Sequence, residues 1–357
     1  MIDRVYKINP ALEQKIAVVL KQKFAVDIFE ENFPNSAGAR RIAQAIIKLS
    51  DYYIASKFDS TPWLEPWCQL AYLSYYMVLN ELRCRAVISE AKNSGFLNSI
   101  QQVTDFGAGL GAATFGLAEI LPQSTQYVHI ERSAAAQALH KMIFPHGRWT
   151  DLPSVPEAQS LGVFSYSLNE LEVWPEWMQQ FENLLIVEPA TSQQGRVLLE
   201  NRQKLIDKGF HIWAPCTHQG LCPLLTKSKN DWCHDRIIFS QPTWFAGIEQ
   251  HLPMRNQSLT FSYLLASKKP APAKTGLARI TGDLLNEKGK SRQLVCRNSE
   301  REFLTWMHKN SEVQTIPRGV LIEWPKQFEA KSNEIRVTQN ISILDLDKSK
   351  ATEENKA

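Results

Sequence analysis

The chain has 357 residues, of which 44% are hydrophobic and 22% charged, and its formal net charge is +3 at pH 7. That is enough chain for one large core with an appendage, and too little net charge to name a nucleic-acid or membrane partner. No apolar run approaches the ~18 residues that cross a bilayer, and Met1-Ile2-Asp3-Arg4 opens neither a signal peptide nor an Arg-rich transit segment, so a cytoplasmic monomer without a membrane partner is expected.

Residues 1–100 read as a helical domain, with apolar periodicity at 11–24, 37–54 and 64–91. Pro62 and Pro66 fall where the third helix starts, a position that tolerates proline. Its stretch 67–77 is apolar almost all round, which predicts burial against the next domain. Cys68 and Cys84 lack metal-ligand spacing and read as small buried side chains. Arg40, Arg41, Arg83 and Arg85 read as solvated helix faces.

From 101 to 268 strands alternate with helices, the pattern of an α/β fold built on a mostly parallel sheet. Strands are expected at 102–106, 126–131, 147–150, 161–166, 183–188, 209–214 and 259–267, the last two forming an antiparallel pair. The first strand carries Asp105 and runs into a glycine turn, Gly107, Gly109 and Gly111, that opens a helix. Glycines at alternate positions let backbone approach a ligand closely. The second strand ends at Glu131, where a carboxylate can hold two ribose hydroxyls. Together they predict a nucleoside-ligand site. The GxGxG spacing differs from the GxGxxG of dinucleotide folds, and no general acid is placed for hydride chemistry, which disfavours a nicotinamide-dependent oxidoreductase. Ligands of such sheets sit at the C-terminal strand ends, so Ser167, Asn169, Glu170 and Glu188 should face the same crevice. The acid, GxGxG, helix, strand, acid order resembles motifs I and II of S-adenosylmethionine-dependent methyltransferases. That resemblance implies a class I methyltransferase sheet, with Asp105, Gly107, Gly109, Gly111 and Glu131 on the cofactor and Asn169 and Glu170 as candidate catalytic or substrate-side residues.

A second constellation occupies an insertion at 214–236, where Cys216, Cys222, Cys233, His218 and His234 crowd together. Thiolates held together repel one another unless a cation neutralises them, so this crowding predicts a shared metal. Cys296 is the remaining unassigned thiol and the candidate fourth ligand, with His218 and His234 as substitutes. Four thiolates suit zinc or an iron–sulfur cluster equally.

Downstream of DFGAGLGAAT, HIERS, SLNEL and IVEPA, the runs APCTHQGLCPLL and DWCHD resemble the mitochondrial ribosomal-small-subunit assembly methyltransferase-like family, which has bacterial members. The resemblance covers roughly residues 60 to 300. It implies a methyltransferase fold acting in small-subunit assembly, association with small-subunit rRNA or a pre-ribosomal particle, and a 4Fe-4S cluster in place of zinc on Cys216, Cys222, Cys233 and Cys296. Thr217 and Asp235 depart from the family's usual proline and aromatic residue at those places. A non-catalytic rRNA-binding assembly factor with a structural metal–cysteine site is the alternative, because the loop at 165–171 lacks the Asp/Asn-Pro-Pro-aromatic signature of amino-group methylation.

Residues 269–344 read as a small basic β domain, an antiparallel barrel or sheet of OB-like kind. Eight basic and two acidic residues between Lys268 and Arg297 suggest a phosphate-facing strip. The charged tail at 345–357 is expected to be disordered.

Overall fold

The structure is a computed structural model that describes residues 4–55, 60–151, 159–171 and 174–344. A two-residue strand, β1 (Val5–Tyr6), precedes helix α1 (Pro10–Phe24). Asn9 caps α1 by accepting from the amides of Ala11 and Leu12 at 2.8 and 3.4 Å, Pro10 takes the first turn, and Ala25 ends the helix in the left-handed region. Next come α2 (Ala37–Ala55) and α3 (Pro66–Ala71), again with proline at the first turn. The expected helix at 64–91 is real but not uniform: a π-helical turn, Tyr72–Tyr76, separates α3 from α4 (Met77–Asn93). The Ser74 hydroxyl donates to Leu70 O at 2.7 Å inside that stretch, one of the side-chain competitions that loosen α-helical pairing. These helices bury their apolar faces in one core shared with the sheet. Arg41 donates to Phe24 O and Arg40 to Asn35 O, so both tie helix ends and neighbouring chain rather than standing free.

The central strands and helices come in this order: β2 (Gln102–Phe106), α5 (Ala112–Ala118), β3 (Gln126–Ile130), α6 (Ala134–Ile143), β4 (Arg148–Trp149), β5 (Ser160–Ser165), β6 (Asn183–Glu188), α7 (Ser192–Asp207), β7 (His211–Ala214), α8 (Pro223–Thr226), β8 (Asp235–Phe239), α9 (Thr243–Glu249) and β9 (Ser258–Ser267). The strand order is β1-β8-β9-β6-β5-β2-β3-β4, with β7 also on β9. β4, β3, β2, β5 and β6 pair in parallel, and β9 runs antiparallel to β6, β7 and β8. This is the Rossmann-like sheet expected from the sequence. Burial on both faces explains why β2 and β6 are buried at every residue.

Strand pairing produces two departures from expectation. β1 pairs in parallel with β8, so the N-terminal segment is not all helical; Val5 and Tyr6 extend the sheet at its edge. The sixth strand is cut in two. Ala214 of β7 lies opposite Leu265 and Asp235 of β8 lies opposite Phe261, so residues 215–234 leave the sheet and return to almost the same place on β9.

The C-terminal strands are β10 (Leu277–Glu287), β11 (Lys290–Cys296), β12 (Glu302–Met307), β13 (Leu321–Glu323), β14 (Glu329–Lys331), β15 (Glu334–Arg336) and β16 (Ile343–Leu344). They form a seven-stranded sheet of linear order β14-β15-β12-β11-β10-β13-β16, around a separate core that includes Trp306, Ile280 and Leu304. Among the described residues no pairing closes β14 onto β16, so of the expected antiparallel barrel or sheet the element is a sheet, antiparallel except where β12 pairs with β15. The tail at 345–357 lies outside the described residues.

Arg279 of β10 locks this sheet to the rest. It is 2% exposed and donates from Nε to Pro215 O at 2.6 Å, from Nη1 to Gly319 O and from Nη2 to Glu90 Oε1 of α4 at 2.5 Å. Although burial opposes the charge of Glu90, Arg279 holds its carboxyl below the usual range. Removing one partner of such a buried pair costs about 3–5 kcal/mol. Glu90→Ala should lower the urea midpoint accordingly and expose residues 277–344 to limited proteolysis first; an unchanged midpoint would show that the pair does not fasten the sheet.

Candidate cofactor crevice and cysteine cavity

β2 ends in a turn whose three glycines all adopt positive φ, 64° at Gly107, 47° at Gly109 and 80° at Gly111, leading directly into α5. The space around them is equally restrictive. A Cβ on Gly107 would stand 2.7 Å from Ser167 Cβ, and one on Gly111 would stand 2.6 Å from His140 Cε1. The turn is therefore wedged between the loop after β5 and a side chain of α6. His140 Nδ1 lies 3.1 Å from Gly109 O, and burial drives its pKa down to about 3, so it is a neutral floor to the turn.

Glu131, just past β3, reaches back to the same turn. Its Oε2 accepts from Gly109 N at 3.1 Å and its Oε1 from Ser133 N at 2.9 Å. The acid and the glycines are thus neighbours in space. Asp105 is placed differently. It lies beneath the turn, 2% exposed, and accepts from the Thr114 hydroxyl at 2.6 Å, which ties β2 to α5. Burial pushes its carboxyl up to about 7, opposed by the Thr114 bond and reinforced by the charge of Glu131.

The loop after β5 begins at Tyr166, which has a φ of 59°, and forms a single 3-10 turn, Leu168–Glu170. Asn169 and Glu170 are exposed on it, and Ser167 is buried against Gly107. Glu188 does not face the crevice as the sequence suggested. It is 3% exposed, accepts from Leu168 N at 3.1 Å and so holds the loop from below, with burial pushing its carboxyl to about 8. It does not cap α7 either, since Thr191 does that by accepting from Gln194 N.

The fourth side of the crevice comes from the N-terminal helices and was not legible as a site. Trp63 Cζ2 stands 3.8 Å from where a Cβ on Gly109 would be. Its ring lies 4.5 Å from that of Tyr72, Tyr72 lies 5.6 Å from Tyr76, and Tyr76 meets Tyr53 edge-on at 6.5 Å. Tyr72 and Tyr76 bracket the π-helical turn, where Met77 N donates to Tyr72 O. π-turns concentrate at functional sites, but a run of aromatics in an apolar helix reads as core. Burial pushes the Tyr72 phenol well up, and Tyr53, Glu170 and Glu131 add to the shift.

The insertion 215–234 and the start of the C-terminal sheet enclose the second feature. Cys216, Cys222, Cys233 and Cys296 all line one small cavity, together with Arg202 of α7 and Arg279. Arg202 donates from Nε to Cys216 Sγ at 3.1 Å and from Nη2 to His218 O at 2.9 Å. Thr217 Oγ1 donates to Cys296 O and Ser262 Oγ to Cys233 O, so backbone carbonyls at two of the cysteines are tethered. Trp232 packs over Gly195, donates to Ala190 O and stacks on His234. Burial, with the nearby Cys216 and Cys222, pushes the Cys296 thiol up to about 12. Among the described residues, no three Cys, His, Asp or Glu side chains stand as ligands of a single metal ion. The four thiols share a cavity without closing to that spacing. Cys68 and Cys84 are buried elsewhere, Cys84 against Ser165 Oγ.

The basic strip is largely neutralised. Lys269, Arg279, Lys290, Arg292 and Arg297 face Glu182, Glu90, Glu334, Glu287 and Glu302, and Lys274 donates to Trp213 O and Cys216 O. Lys268 and Lys288 are exposed. Among the described residues no helix is long and apolar enough to cross a membrane.

The family described as mitochondrial small ribosomal subunit Rsm22 matches residues 69–311, about two thirds of the chain. The chain belongs to this family. The matched span holds the glycine turn, the loop after β5, the insertion and all four cavity cysteines of this Rsm22-family chain. No curated protein matches it. Solved structures similar to it include a TehB-like SAM-dependent methyltransferase from Corynebacterium glutamicum, at 14% identity over 51% of this chain and 88% of that one, TM-score 0.29. The plantazolicin methyltransferase BamL, in complex with a desmethylPZN analog and SAH, is similar at 11% identity over 65% and 98%, TM-score 0.31. The precorrin-6y C5,15-methyltransferase from Geobacter metallireducens is similar at 13% identity over 52% and 87%, TM-score 0.30. At this extent of likeness neither ligand nor activity transfers.

Unfolded Asp105 ionises from 3.8 and folded Asp105 near 7. Between those values the folded chain holds a proton that the unfolded chain has released, so this residue's contribution to stability falls as pH rises through the window. Asp105→Asn should therefore raise the melting temperature at pH 7.5, by on the order of 1–3 °C, with the gain vanishing near pH 4. Scanning calorimetry across that range checks it, and a gain that persists at pH 4 would contradict it.

Proposed function

We propose that this Rsm22-family chain binds S-adenosylmethionine at the glycine turn and works as a methyltransferase-like partner of small-subunit rRNA or its precursor particle. The observation that carries the cofactor reading is the cradle of Gly107, Gly109 and Gly111, side-chain-free and at positive φ, with Glu131 hydrogen-bonded to its centre. The residues fit the group: the glycines clear space for its methionine and ribose part, and Glu131 keeps lone pairs that ribose hydroxyls can use. Asp105 acts indirectly, by fixing the turn through Thr114. When bound, the cofactor supplies an electrophilic methyl group. The chain's own residues would then position an acceptor base or ribose at the loop of Asn169 and Glu170, which Glu188 braces.

The ribosomal part of the reading is supported by the family description, which names the small ribosomal subunit. The same description is mitochondrial, so the cytoplasmic location and the monomeric state belong to the proposal. A non-catalytic assembly factor on the same fold is favoured by one observation. The loop at 165–171 carries no Asp/Asn-Pro-Pro-aromatic signature, and its exposed polar side chains are those of Asn169 and Glu170.

The four thiols fit a metal centre through their chemistry. They line one cavity, and Arg202 donates to Cys216 Sγ. A 4Fe-4S cluster, with zinc as the alternative, is the reading of these thiols that the resemblance to the ribosomal-small-subunit assembly methyltransferase-like family implies. Cys216, Cys222, Cys233 and Cys296 would hold it, pinning β11 to the interrupted sixth strand.

Calorimetry with S-adenosylmethionine should give saturable binding that Glu131→Ala weakens by about tenfold or more, the loss of a bidentate charged contact. No heat at millimolar ligand would overturn the cofactor reading. Rescue of ribosome assembly by a Glu131→Ala, Gly109→Arg double variant that binds no cofactor would favour the assembly factor. Anaerobic purification should give a brown protein with about four irons per chain, and Cys296→Ser should loosen residues 277–344 to protease while leaving cofactor affinity unchanged. A colourless protein with one zinc would refute the cluster.

A further inference from the structure

Helix α7 sends two arginines toward the cysteine-bearing insertion, and they are employed differently. Arg196 gives Nη1 to the carbonyls of Leu224, Ser228 and Asp231 at 2.9 to 3.2 Å, so it fastens the backbone of the insertion. Arg202 lies further along the helix and is 1% exposed. It donates from Nη2 to His218 O at 2.9 Å, but its Nε goes to a sulfur, Cys216 Sγ at 3.1 Å. Among the described residues its buried Nη1 has no hydrogen-bond partner.

The electrostatics of that position are one-sided. A guanidinium stays protonated at every working pH, and holding its charge out of water is costly unless an anion answers it. No Asp or Glu lines the cavity among the described residues, and the other arginine there, Arg279, has its own carboxylate in Glu90. Lys274 adds a further positive group close by, donating Nζ to Cys216 O at 3.1 Å. The side chain that meets the Arg202 guanidinium is therefore that of a cysteine. A protonated thiol is a weak acceptor and carries no charge to balance a cation. Four cysteine thiolates outweigh the charge of a 4Fe-4S core, so the assembled centre is a net anion, and N–H groups directed at its sulfurs help to set its reduction potential. In that assembly the buried guanidinium has the anion that its surroundings otherwise lack.

We propose that Arg202 is the counter-cation of the cysteine centre, its Nε–H directed at Cys216 Sγ, and that it favours both the retention of iron and one-electron reduction. This rests on the iron–sulfur reading above and deepens it. A donor to sulfur stabilises the more negative, reduced form more than the oxidised one, so its presence moves the midpoint potential upward. The bond from Nη2 to His218 O is a separate contact that places the guanidinium.

The test is a dithionite titration, with redox mediators, of the full-length protein purified anaerobically, with iron content and the visible spectrum recorded alongside. In Arg202→Gln the reduced-to-oxidised ratio at a fixed potential should fall about tenfold, which is 59 mV for a one-electron couple. Its iron should pass to a chelator about tenfold faster. Arg202→Lys, which keeps the cation and loses the planar fork, should fall between the parent and Arg202→Gln. A purely structural role would lower the melting temperature without moving the potential. If the parent is brown and the ratio in both variants stays within about twofold of it, the role of Arg202 is refuted and the iron–sulfur reading stands. If only Arg202→Lys holds iron, its ratio decides by the same measure. If neither variant holds iron, circular dichroism decides: a native spectrum with the iron gone supports the counter-cation role, and loss of the native spectrum refutes it. A colourless parent refutes the iron–sulfur reading and takes the role of Arg202 with it.

Discussion

One buried guanidinium decides how the parts of this chain meet. Arg279 leaves the C-terminal sheet, crosses to α4 to pair with Glu90, and on the way satisfies the carbonyls of Pro215 and Gly319. A charge taken out of water is costly unless its hydrogen bonds are met. Here donors on all three nitrogens find acceptors from three separate segments: the N-terminal helices, the cysteine-bearing insertion and the loop before β13. No two of those segments can move apart without leaving a buried charge short of a partner. Gly319 shows how closely they are fitted, since a Cβ there would stand 1.7 Å from Asp235 Oδ1, the atom that pairs with Arg4.

The interrupted sixth strand obeys the same logic. A 20-residue excursion in the middle of a strand would ordinarily shift the register of the residues after it. Here β7 and β8 resume on the same partner, because β9 is buried and its pairing with both halves is fixed by the core. The excursion is thereby given a rigid base. Its cysteines are set beside α7 on one side and β11 on the other, so the cavity is formed by elements that are far apart in sequence and held together by Arg202 as well as Arg279.

The crevice and the cavity are separate features on one sheet. The crevice lies at the C-terminal ends of β2, β3 and β5, where the helical segment supplies its wall. The cavity lies beyond β9 and leans on the C-terminal sheet. The N-terminal helices are therefore more than a cap on the core, since α4 reaches the cavity region through Glu90 while Trp63 and the π-turn reach the crevice.

Local sequence was sufficient wherever function depends on backbone conformation. Gly107, Gly109 and Gly111 declare a turn at positive φ, and Glu131 declares the end of the next strand, because a parallel strand–helix unit repeats its geometry with its spacing. The seven expected strands of the central sheet share that periodicity, and the crowding of three cysteines signalled a common site for the same reason of proximity along the chain. The questions the sequence left open depend on contacts between distant segments. Whether Glu188 faces a ligand or braces a loop is decided by the amide of Leu168 above it, and whether Asp105 touches a ligand is decided by Thr114. The basic strip looked like a phosphate track until five of its charges met carboxylates from neighbouring strands, a loop and α4. The aromatic wall was hidden most completely, because tyrosines in an apolar helix look alike whether they fill a core or line a cleft. Only a π-turn set against the glycine turn by tertiary packing separates the two.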